Sequence, residues 1–273
     1  MRVAVIGHIE WVEFARVERV PAPGEIVHAL ETWEEAAGGG AVAAVQLAKL
    51  AGSCMLFTAL GSDDLGRRTR VQLAEQGVTV RAMADPSPQR RAFAFVDETG
   101  ERTITVLGEK LRPSGGDSRL PWHELTGMDG IFFVSGDAEA LRLARAARVL
   151  VATARELPTL RAAGVELDVL VGSGEDEGEF YRPGELEPAP KLVVTTAGRL
   201  GGWAQPGGPF RPAALSGPVV DAYGCGDSFA AGLTFALARG DAQDEAIALA
   251  ARCGAAVLGG RGPYPAQLTA ESV

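Results

Sequence analysis

Short apolar runs alternate along this chain with longer segments in which apolar residues recur at helical spacing. The unbroken runs predict buried strands at residues 3–6, 55–60, 130–134, 149–152, 168–171 and 192–195. The helical spacing predicts helices at residues 41–50, 66–76, 138–147, 156–163, 228–239 and 244–258. Hydrophobic strands separated by helices are typical of a parallel sheet with helices on both faces. The pattern therefore predicts a doubly wound, mainly parallel α/β fold.

Three stretches depart from this alternation. Residues 91–97 and 102–107 alternate between apolar and polar with a period of two around a Glu-Thr-Gly turn, which predicts a β-hairpin. Residues 12–33 are predicted to be extended as well. The hairpin belongs either to a separate small β layer or to an antiparallel extension of the main sheet. The Gly- and Pro-rich stretch 206–218 is predicted to be a surface connection.

The composition limits the classes of function. With 273 residues, 47% of them hydrophobic, the chain is long enough for one large domain, residues 1–273, with a substantial core. The formal net charge of -9 argues against a nucleic-acid partner, since phosphate backbones are bound by clustered Lys and Arg. Cys54, Cys225 and Cys253 are far apart, and no apolar run approaches the ~18 residues of a membrane span. We expect a soluble cytoplasmic protein with no membrane partner.

The most informative segment, residues 221–229, has the sequence Asp-Ala-Tyr-Gly-Cys-Gly-Asp-Ser-Phe. Gly224 and Gly226 allow a sharp turn at the start of an alanine-rich helix, and a helix N-terminus binds anions through its unpaired N–H groups. We interpret Gly224, Cys225 and Gly226 as an anion hole for a phosphoryl group, and Asp227 as the base that takes the proton from an attacking hydroxyl. We expect Asp227 to be ionised at neutral pH, because the helix end favours the charged form. The alternative is an ordinary helix entry in which Asp227 is only the N-cap.

This segment resembles the signature of the ribokinase-like sugar kinases, the phosphofructokinase-B (PfkB) family, whose usual form is Asp-Thr-x-Gly-Ala-Gly-Asp-x-Phe. Both acidic residues and both glycines of that form are present, while Cys225 replaces the alanine. Further segments are similar to the family's other motifs in the same order: Pro23–Glu25 with Gly38–Ala41, Leu60–Gly66, Gly100–Ile104 and Val194–Gly202. Through these ordered matches, which extend over nearly the whole chain, it is identified as a member of the family.

The resemblance implies a fold and a reaction. The fold is the ribokinase-like α/β domain with a small β lid, formed here by residues 12–33 and 88–108, which covers the sugar and often supplies a homodimer contact. The implied reaction transfers the γ-phosphoryl group of ATP to a hydroxyl of a sugar or sugar-like small molecule. Mg²⁺ would assist, and a requirement for a monovalent cation is left open.

The resemblance also implies where the nucleotide binds. The loop that contains Thr196, Gly198 and Gly201 follows a predicted strand, and its glycines would let the backbone approach ATP closely. A plain β-hairpin turn leading to Trp203 is the alternative. The helix around Cys253 would flank the adenine, or it is simply a packed helix of small residues.

A magnesium-supporting segment is implied just after the strand at 168–171. Where the family has Asn-x-x-Glu, Ser173 aligns with the Asn and Asp176 with the Glu, although Glu175 could serve instead. Magnesium takes oxygen ligands and keeps most of its waters, so either acid would suffice. The alternative is a solvated acidic helix start.

The acceptor side departs from the family pattern. The resemblance implies that the acceptor is surrounded by Gly38, Gly39, Gly40, Asp221, Glu10 and Arg155. However, Ala43 stands where the family has an Asn that grips sugar hydroxyls, and Val12 stands near the expected Asp. A site without these partners loses discrimination for hydroxyls, so plain ribose or fructose is not expected as the preferred acceptor. His8 could contact the acceptor, and Arg91 and Arg155 could recognise a phosphate or carboxylate on it; packing and ordinary salt bridges are the alternatives.

These changes also suit a second class of protein, a degenerate kinase fold that binds a nucleotide or small molecule without turnover. The retained Asp221, Gly224, Gly226 and Asp227 favour an active phosphotransferase with an alcohol group as acceptor. An oxidoreductase is disfavoured, since the glycines of a G-x-G-x-x-G unit do not follow the first strand.

Overall fold

The computed structural model describes residues 1–273 as two β-sheets and six α-helices. The strands are β1 (Val3–Ile6), β2 (Glu10–Arg16), β3 (Glu31–Ala37), β4 (Cys54–Gly61), β5 (Val78–Asp85), β6 (Arg91–Val96), β7 (Arg102–Leu107), β8 (Gly130–Phe133), β9 (Val149–Thr153), β10 (Val169–Ser173), β11 (Leu192–Thr196), β12 (Gly202–Gln205) and β13 (Gly208–Phe210). The helices are α1 (Gly39–Ala51), α2 (Asp64–Glu75), α3 (Ala138–Ala144), α4 (Leu157–Ala163), α5 (Cys225–Arg239) and α6 (Gln243–Val257).

The main sheet has nine strands in the order β13-β12-β11-β10-β9-β8-β1-β4-β5. All pairs from β11 to β5 are parallel, and only β12 and β13 at one edge are antiparallel. The strand order changes direction between β1 and β8, which places a topological switch point there. The predicted doubly wound, mainly parallel sheet is therefore confirmed.

Alternate residues of the central strands point into two separate cores. Val3 and Val5 of β1 pack into the core that contains α1, α5 and α6, while Ala4 and Ile6 pack into the core that contains α3 and α4. Both cores are built from fully buried aliphatic and aromatic side chains. Helices thus cover both faces of the sheet, as the unbroken apolar strands predict.

The second sheet is separate and has four strands in the order β3-β2-β6-β7. The predicted hairpin is present as β6 and β7, and β2 pairs with β6 in parallel. The alternative of an extension of the main sheet is wrong, because the two sheets share no paired strand. This small sheet, which we name the lid sheet, packs Phe14 edge-on against Tyr223 with ring centroids 5.0 Å apart.

Two segments of the main sheet differ from the sequence-based expectation. Residues 78–85 form strand β5, which the sequence pattern did not predict. The strand lies at the sheet edge and is only partly buried, so it needs no long apolar run. Residues 206–218 are not wholly a connection, since Gly208–Phe210 forms strand β13 and pairs with β12. No helix of the structure has the length and apolar character needed to cross a membrane.

Candidate active site

Helix α5 begins at the switch point with its N-terminus facing open space. Gly224 is the N-cap with φ of 82°, and a Cβ there would lie 2.9 Å from Val42 Cγ1, so glycine is required on both counts. The Ser228 N–H donates to the Gly224 carbonyl, which leaves the N–H groups before it outside the helical ladder. A Cβ on the exposed Gly226 would meet no atom within 4 Å. The first turn can therefore receive an anion.

Asp227 is the third residue of α5, and the residue as a whole is partly exposed. The interpretation of Asp227 as the N-cap is wrong, since Gly224 holds that position. Burial raises the pKa of Asp227 to about 7, and the negative charge of Glu179 raises it further, against the opposing effect of Arg102. The expectation of a fully ionised Asp227 at neutral pH is therefore corrected: removal of the carboxylate from water outweighs the helix end. Its pKa is that of a base poised near neutrality.

The Gly38–Gly40 turn brings the lid sheet, β1 and α5 together. The Gly38 N–H donates to the Tyr223 hydroxyl at 3.1 Å, and the Gly40 N–H donates to the His8 carbonyl at 3.1 Å. A Cβ on Gly39 would lie 2.8 Å from Asp227 Oδ1, which leaves no room for a side chain. These glycines thus form one wall of the space above Asp227, at the carboxyl end of β1. Ligands of open α/β sheets bind at such a position.

Asp221 does not face this space. Its carboxylate is fully buried and accepts hydrogen bonds from the N–H groups of Tyr223 at 2.8 Å and Gly262 at 2.9 Å. Desolvation raises its pKa, partly offset by those two bonds. The prediction that Asp221 binds the acceptor is corrected, because both of its oxygens are held by backbone groups. Asp221 instead fixes the segment that leads into α5.

Arg155 is tied to two carboxylates at the ends of β9 and β10. Its Nε donates to Glu179 Oε1 at 3.0 Å, and its guanidinium also pairs with Asp176. The Ser173 N–H donates to Glu179 Oε2 at 2.9 Å. Hydrogen bonding to Arg155 lowers the pKa of Asp176. The salt-bridge alternative for Arg155 is thus confirmed, and Glu179, which sequence reasoning missed, is the acid that acts most strongly on Asp227.

The structure has no group of three or more His, Cys, Asp and Glu side chains that could hold a metal ion. Asp176 caps a short turn by accepting from the Gly178 N–H at 2.9 Å, and Glu175 lies apart from it, beside Gly198. The two predicted magnesium residues therefore do not form a chelating pair. A magnesium ion here would depend on water and phosphate oxygens for most of its ligands.

The loop between β11 and β12 is a hairpin turn, and β11 lies four strands away from β1 in the main sheet. Thr196 pairs with Gly202, and the chain continues into Trp203 in β12, so the hairpin alternative describes its backbone correctly. Gly198 and Gly201 have φ of 48° and 89°, conformations that favour glycine. Thr196 and these two glycines lie at the carboxyl end of β11, on the same sheet edge as Asp227.

The prediction that Cys253 contacts the nucleotide is corrected. Its side chain is fully buried between α6 and α5, where a Cβ on Gly232 would lie 2.7 Å from its Sγ. Burial raises the pKa of the Cys253 thiol to about 12. Ala255 and Ala256, which follow it in α6, are partly exposed.

The other end of the site, next to β1, is rich in buried charge. Glu10 is buried, its Oε1 lies 3.1 Å from Arg90 Nε, and desolvation raises its pKa. His8 is buried as well, and burial together with the nearby Lys110 and Arg90 lowers its pKa well below the usual value. Arg91 points outward and pairs with Glu13. The arginine that lies beside Glu10 and His8 is Arg90, and no sequence signal distinguished it from its neighbour.

Packing also explains why apolar residues stand at the two acceptor-side positions where the family pattern has polar ones. Ala43 and Val12 are fully buried against neighbouring side chains and have no solvent-accessible surface. Both belong to the core that α1 shares with the lid sheet. Neither can supply a polar contact to a sugar.

A family model for pfkB family carbohydrate kinases matches residues 1–114 and 135–270. The chain therefore belongs to this family of carbohydrate kinases, which are phosphotransferases. It is 27% identical over 315 residues to the ATP-dependent ribose-1-phosphate kinase of Halopiger xanaduensis, with 100% of this chain and 97% of that protein covered.

Solved structures share the fold. A putative ribokinase from Agrobacterium tumefaciens has a TM-score of 0.81 and 22% identity, covering 99% of this chain and 95% of that one. The ribokinase of Arabidopsis thaliana, complexed with ribose and ATP, has a TM-score of 0.75 and 18% identity, covering 99% of this chain and 96% of that one. The lid sheet and the nine-stranded sheet are thus parts of a ribokinase-like fold.

Proposed function

We propose that this carbohydrate kinase transfers the γ-phosphoryl group of ATP to a hydroxyl of a sugar, with Asp227 as the base. The observation that carries the proposal is the position of the Asp227 carboxylate beside the open first turn of α5. A base with a pKa of about 7 and unpaired N–H groups then face the same space. The Halopiger relative, which is named as ATP-dependent, supports ATP as the donor.

In the proposed step, Asp227 accepts the proton of the acceptor hydroxyl as that oxygen bonds to the γ-phosphorus. The bond between the γ-phosphorus and the β–γ bridging oxygen breaks, and ADP leaves with the electron pair. The N–H groups of Cys225, Gly226 and Asp227 stabilise the charge on the transferred phosphoryl group. The Gly38–Gly40 turn positions the acceptor, because its glycines leave room against Asp227.

ATP would extend from the β11–β12 loop toward α5. Thr196, Gly198 and Gly201 would contact the nucleotide through the backbone, with Ala255 and Ala256 flanking it. Mg²⁺ would neutralise charge on the phosphates, and Asp176 and Glu179 would hold it through its waters. Arg155 would hold these two acids in place.

The acceptor is proposed to be a ribose-type sugar that is not gripped in the usual way. Ala43 and Val12 are buried and offer no hydrogen bond, while Glu10 and His8 line the acceptor side. Ribose 1-phosphate is the first candidate, because the Halopiger relative carries that name. The lid sheet would close over this acceptor, and its exposed edge strand β7 would be the contact of a homodimer.

A cytoplasmic location accords with the three unpaired cysteines.

The test is ADP release with a panel of sugars and sugar phosphates, for the wild type and Asp227→Asn. The Asn keeps the shape of the side chain but cannot accept the proton. We expect kcat to fall by about 10²–10⁴-fold, with ATP binding unchanged by calorimetry. Asp244→Asn is the matched control, since Asp244 is an exposed aspartate in the first turn of α6.

Two outcomes would contradict the proposal. A near-normal kcat for Asp227→Asn would remove Asp227 as the base. Absence of ADP release by the wild type with every acceptor, together with retained ATP binding, would favour the degenerate kinase that binds without turnover.

A further inference from the structure

Tyr223 lies at the point where the lid sheet, the Gly38–Gly40 turn and the start of α5 meet. It stands at the variable position of the family signature, directly before the N-cap Gly224, and only 4% of its surface is exposed. Its N–H donates to Asp221 Oδ1 at 2.8 Å, so its backbone is fixed by the segment that enters α5. No step of the proposed reaction uses this buried side chain.

The Tyr223 hydroxyl holds the residue at which the lid sheet joins α1. Strand β3 ends at Ala37 and α1 begins at Gly39, and the N–H of Gly38 between them donates to the hydroxyl at 3.1 Å. Gly38 has φ of 81°, and a Cβ there would lie 3.1 Å from the backbone nitrogen of Glu10, so the turn depends on glycine. Because glycine is also the most flexible residue, this hydrogen bond restricts a junction that would otherwise be mobile.

The aromatic ring of Tyr223 supports the lid sheet directly. It packs edge-on against Phe14 of β2 with ring centroids 5.0 Å apart, and Phe14 stacks on Trp33 of β3 at 4.8 Å. One side chain therefore makes two contacts with the lid sheet, since its ring packs on the face of the sheet and its hydroxyl binds the residue that follows β3.

The turn that Tyr223 holds is the wall of the site next to the proposed base. A Cβ on Gly39 would lie 2.8 Å from Asp227 Oδ1, and a Cβ on Gly224 would lie 2.9 Å from Val42 Cγ1 in the first turn of α1. The starts of α1 and α5 are therefore in close contact, and the hydroxyl bond joins them one residue before Gly39. A shift of the turn would change the space in which the acceptor hydroxyl approaches Asp227.

The Tyr223 hydroxyl takes no part in the proton transfer itself. Burial raises the pKa of Tyr223, and the negative charges of Glu10 and Asp227 raise it further, against the effect of the hydrogen bond from Gly38. The hydroxyl therefore stays neutral at the pH of a kinase assay, and its role is geometric.

We propose that Tyr223 is a positioning residue, which couples the lid sheet to the Gly38–Gly40 turn and thereby sets the acceptor hydroxyl against Asp227. This inference rests on the proposed kinase function. When the hydroxyl is removed, the buried Gly38 N–H loses its partner, and the turn is no longer held in one position. The acceptor hydroxyl is then less often within reach of the base, and a misplacement of about 1 Å is enough to lower a rate by about 10²-fold.

The test is Tyr223→Phe, which keeps the ring and its contact with Phe14 and removes only the hydroxyl. With the acceptor that releases most ADP, we expect kcat to fall by about 10- to 100-fold, while the KM and the calorimetric Kd for ATP stay unchanged. Tyr264→Phe is the matched control, because the buried Tyr264 hydroxyl donates to the carbonyl of Ala36, two residues before Gly38. Both variants should lower the melting temperature, but Tyr264→Phe should keep a kcat close to that of the wild type.

A double variant separates positioning from general stabilisation. If Tyr223 acts by placing the acceptor against the base, its loss has little further effect once the base is gone. Asp227→Asn combined with Tyr223→Phe should therefore have the kcat of Asp227→Asn alone. Independent effects would multiply instead, and that result would overturn the inference.

Amide hydrogen exchange gives a readout that does not depend on turnover. Without any ligand, Tyr223→Phe should speed exchange in the peptide that contains residues 36–40, since the Gly38 N–H has lost its acceptor.

The results separate this inference from the function on which it rests. Exchange equal to that of the wild type, or a near-normal kcat of Tyr223→Phe while Asp227→Asn is inactive, would overturn the inference without affecting the proposed kinase function. If the wild type releases no ADP with any acceptor, the kinase proposal fails, and the positioning role of Tyr223 fails with it.

Discussion

Asp227→Asn should make the protein more stable at alkaline pH while it removes turnover. The pKa of Asp227 is raised from 3.8 to about 7 by burial, so the folded protein binds this proton more tightly than the unfolded chain does. Folding stability therefore falls as the pH rises from about 4 to about 7, and it changes no further above that range. The asparagine does not titrate, so the variant avoids this loss.

The magnitude follows from the difference of about 3 pKa units, which at 1.36 kcal/mol per unit sets an upper bound of about 4 kcal/mol. Asp227 as a residue is partly exposed, so solvent screening lowers this bound, and we take about 2 kcal/mol. For a domain of this size, that corresponds to a rise in melting temperature of about 4–8 °C at pH 8. At pH 5.5 only about half of the gain should be present.

The assay is thermal unfolding of the wild type, Asp227→Asn and Asp244→Asn at pH 5.5, 7 and 8. The advantage of Asp227→Asn should grow with pH, and Asp244→Asn should show no such trend, because Asp244 is exposed. A difference that is absent, or that shrinks as the pH rises, would refute the raised pKa of Asp227.

The other predictions concern catalysis. Because Asp227 must be ionised to act as a base, kcat/KM should rise by about tenfold per pH unit and level off above a pH of about 7; a profile that is flat between pH 5.5 and 8 would contradict this assignment. Gly39→Ala would place a Cβ 2.8 Å from Asp227 Oδ1 and 2.9 Å from Val134 Cγ1, so we expect kcat to fall by about 10²-fold. Gly217→Ala is the control and should be neutral, because no atom lies within 4 Å of a Cβ at that position. Steady-state kinetics of both variants is the check. Free ribose and fructose should be poor acceptors, since Ala43 and Val12 are buried and apolar, and an efficiency of about 10⁴ M⁻¹s⁻¹ or more with either sugar would show this inference to be wrong.

The sequence by itself determined the layers of the fold and the residue that we propose as the base. Unbroken apolar runs such as Val3–Ile6 and Ile131–Val134 require burial on both faces, and this requirement alone implies a parallel sheet covered by helices. The period-two pattern predicted the hairpin of β6 and β7, but its place in a separate lid sheet followed only from the tertiary structure. Gly224 and Asp227 were recognisable because glycine at a helix start and an acid in its first turn are local features.

Only the tertiary structure decided which side chains face the site. Asp221 and Cys253 appeared suitable from their motifs, but the folded chain buries one against the backbone of residue 262 and the other against Gly232. Glu179 and Arg90 carry no motif. Glu179 follows β10 of the main sheet and acts on Asp227, whereas Arg90 precedes β6 of the lid sheet and pairs with Glu10, so only the folded chain places them. The pKa of Asp227 shows the same dependence, since desolvation by residues far along the chain outweighs the local helix end. Burial and charge at a site are properties of neighbours in space, which a local sequence pattern does not specify.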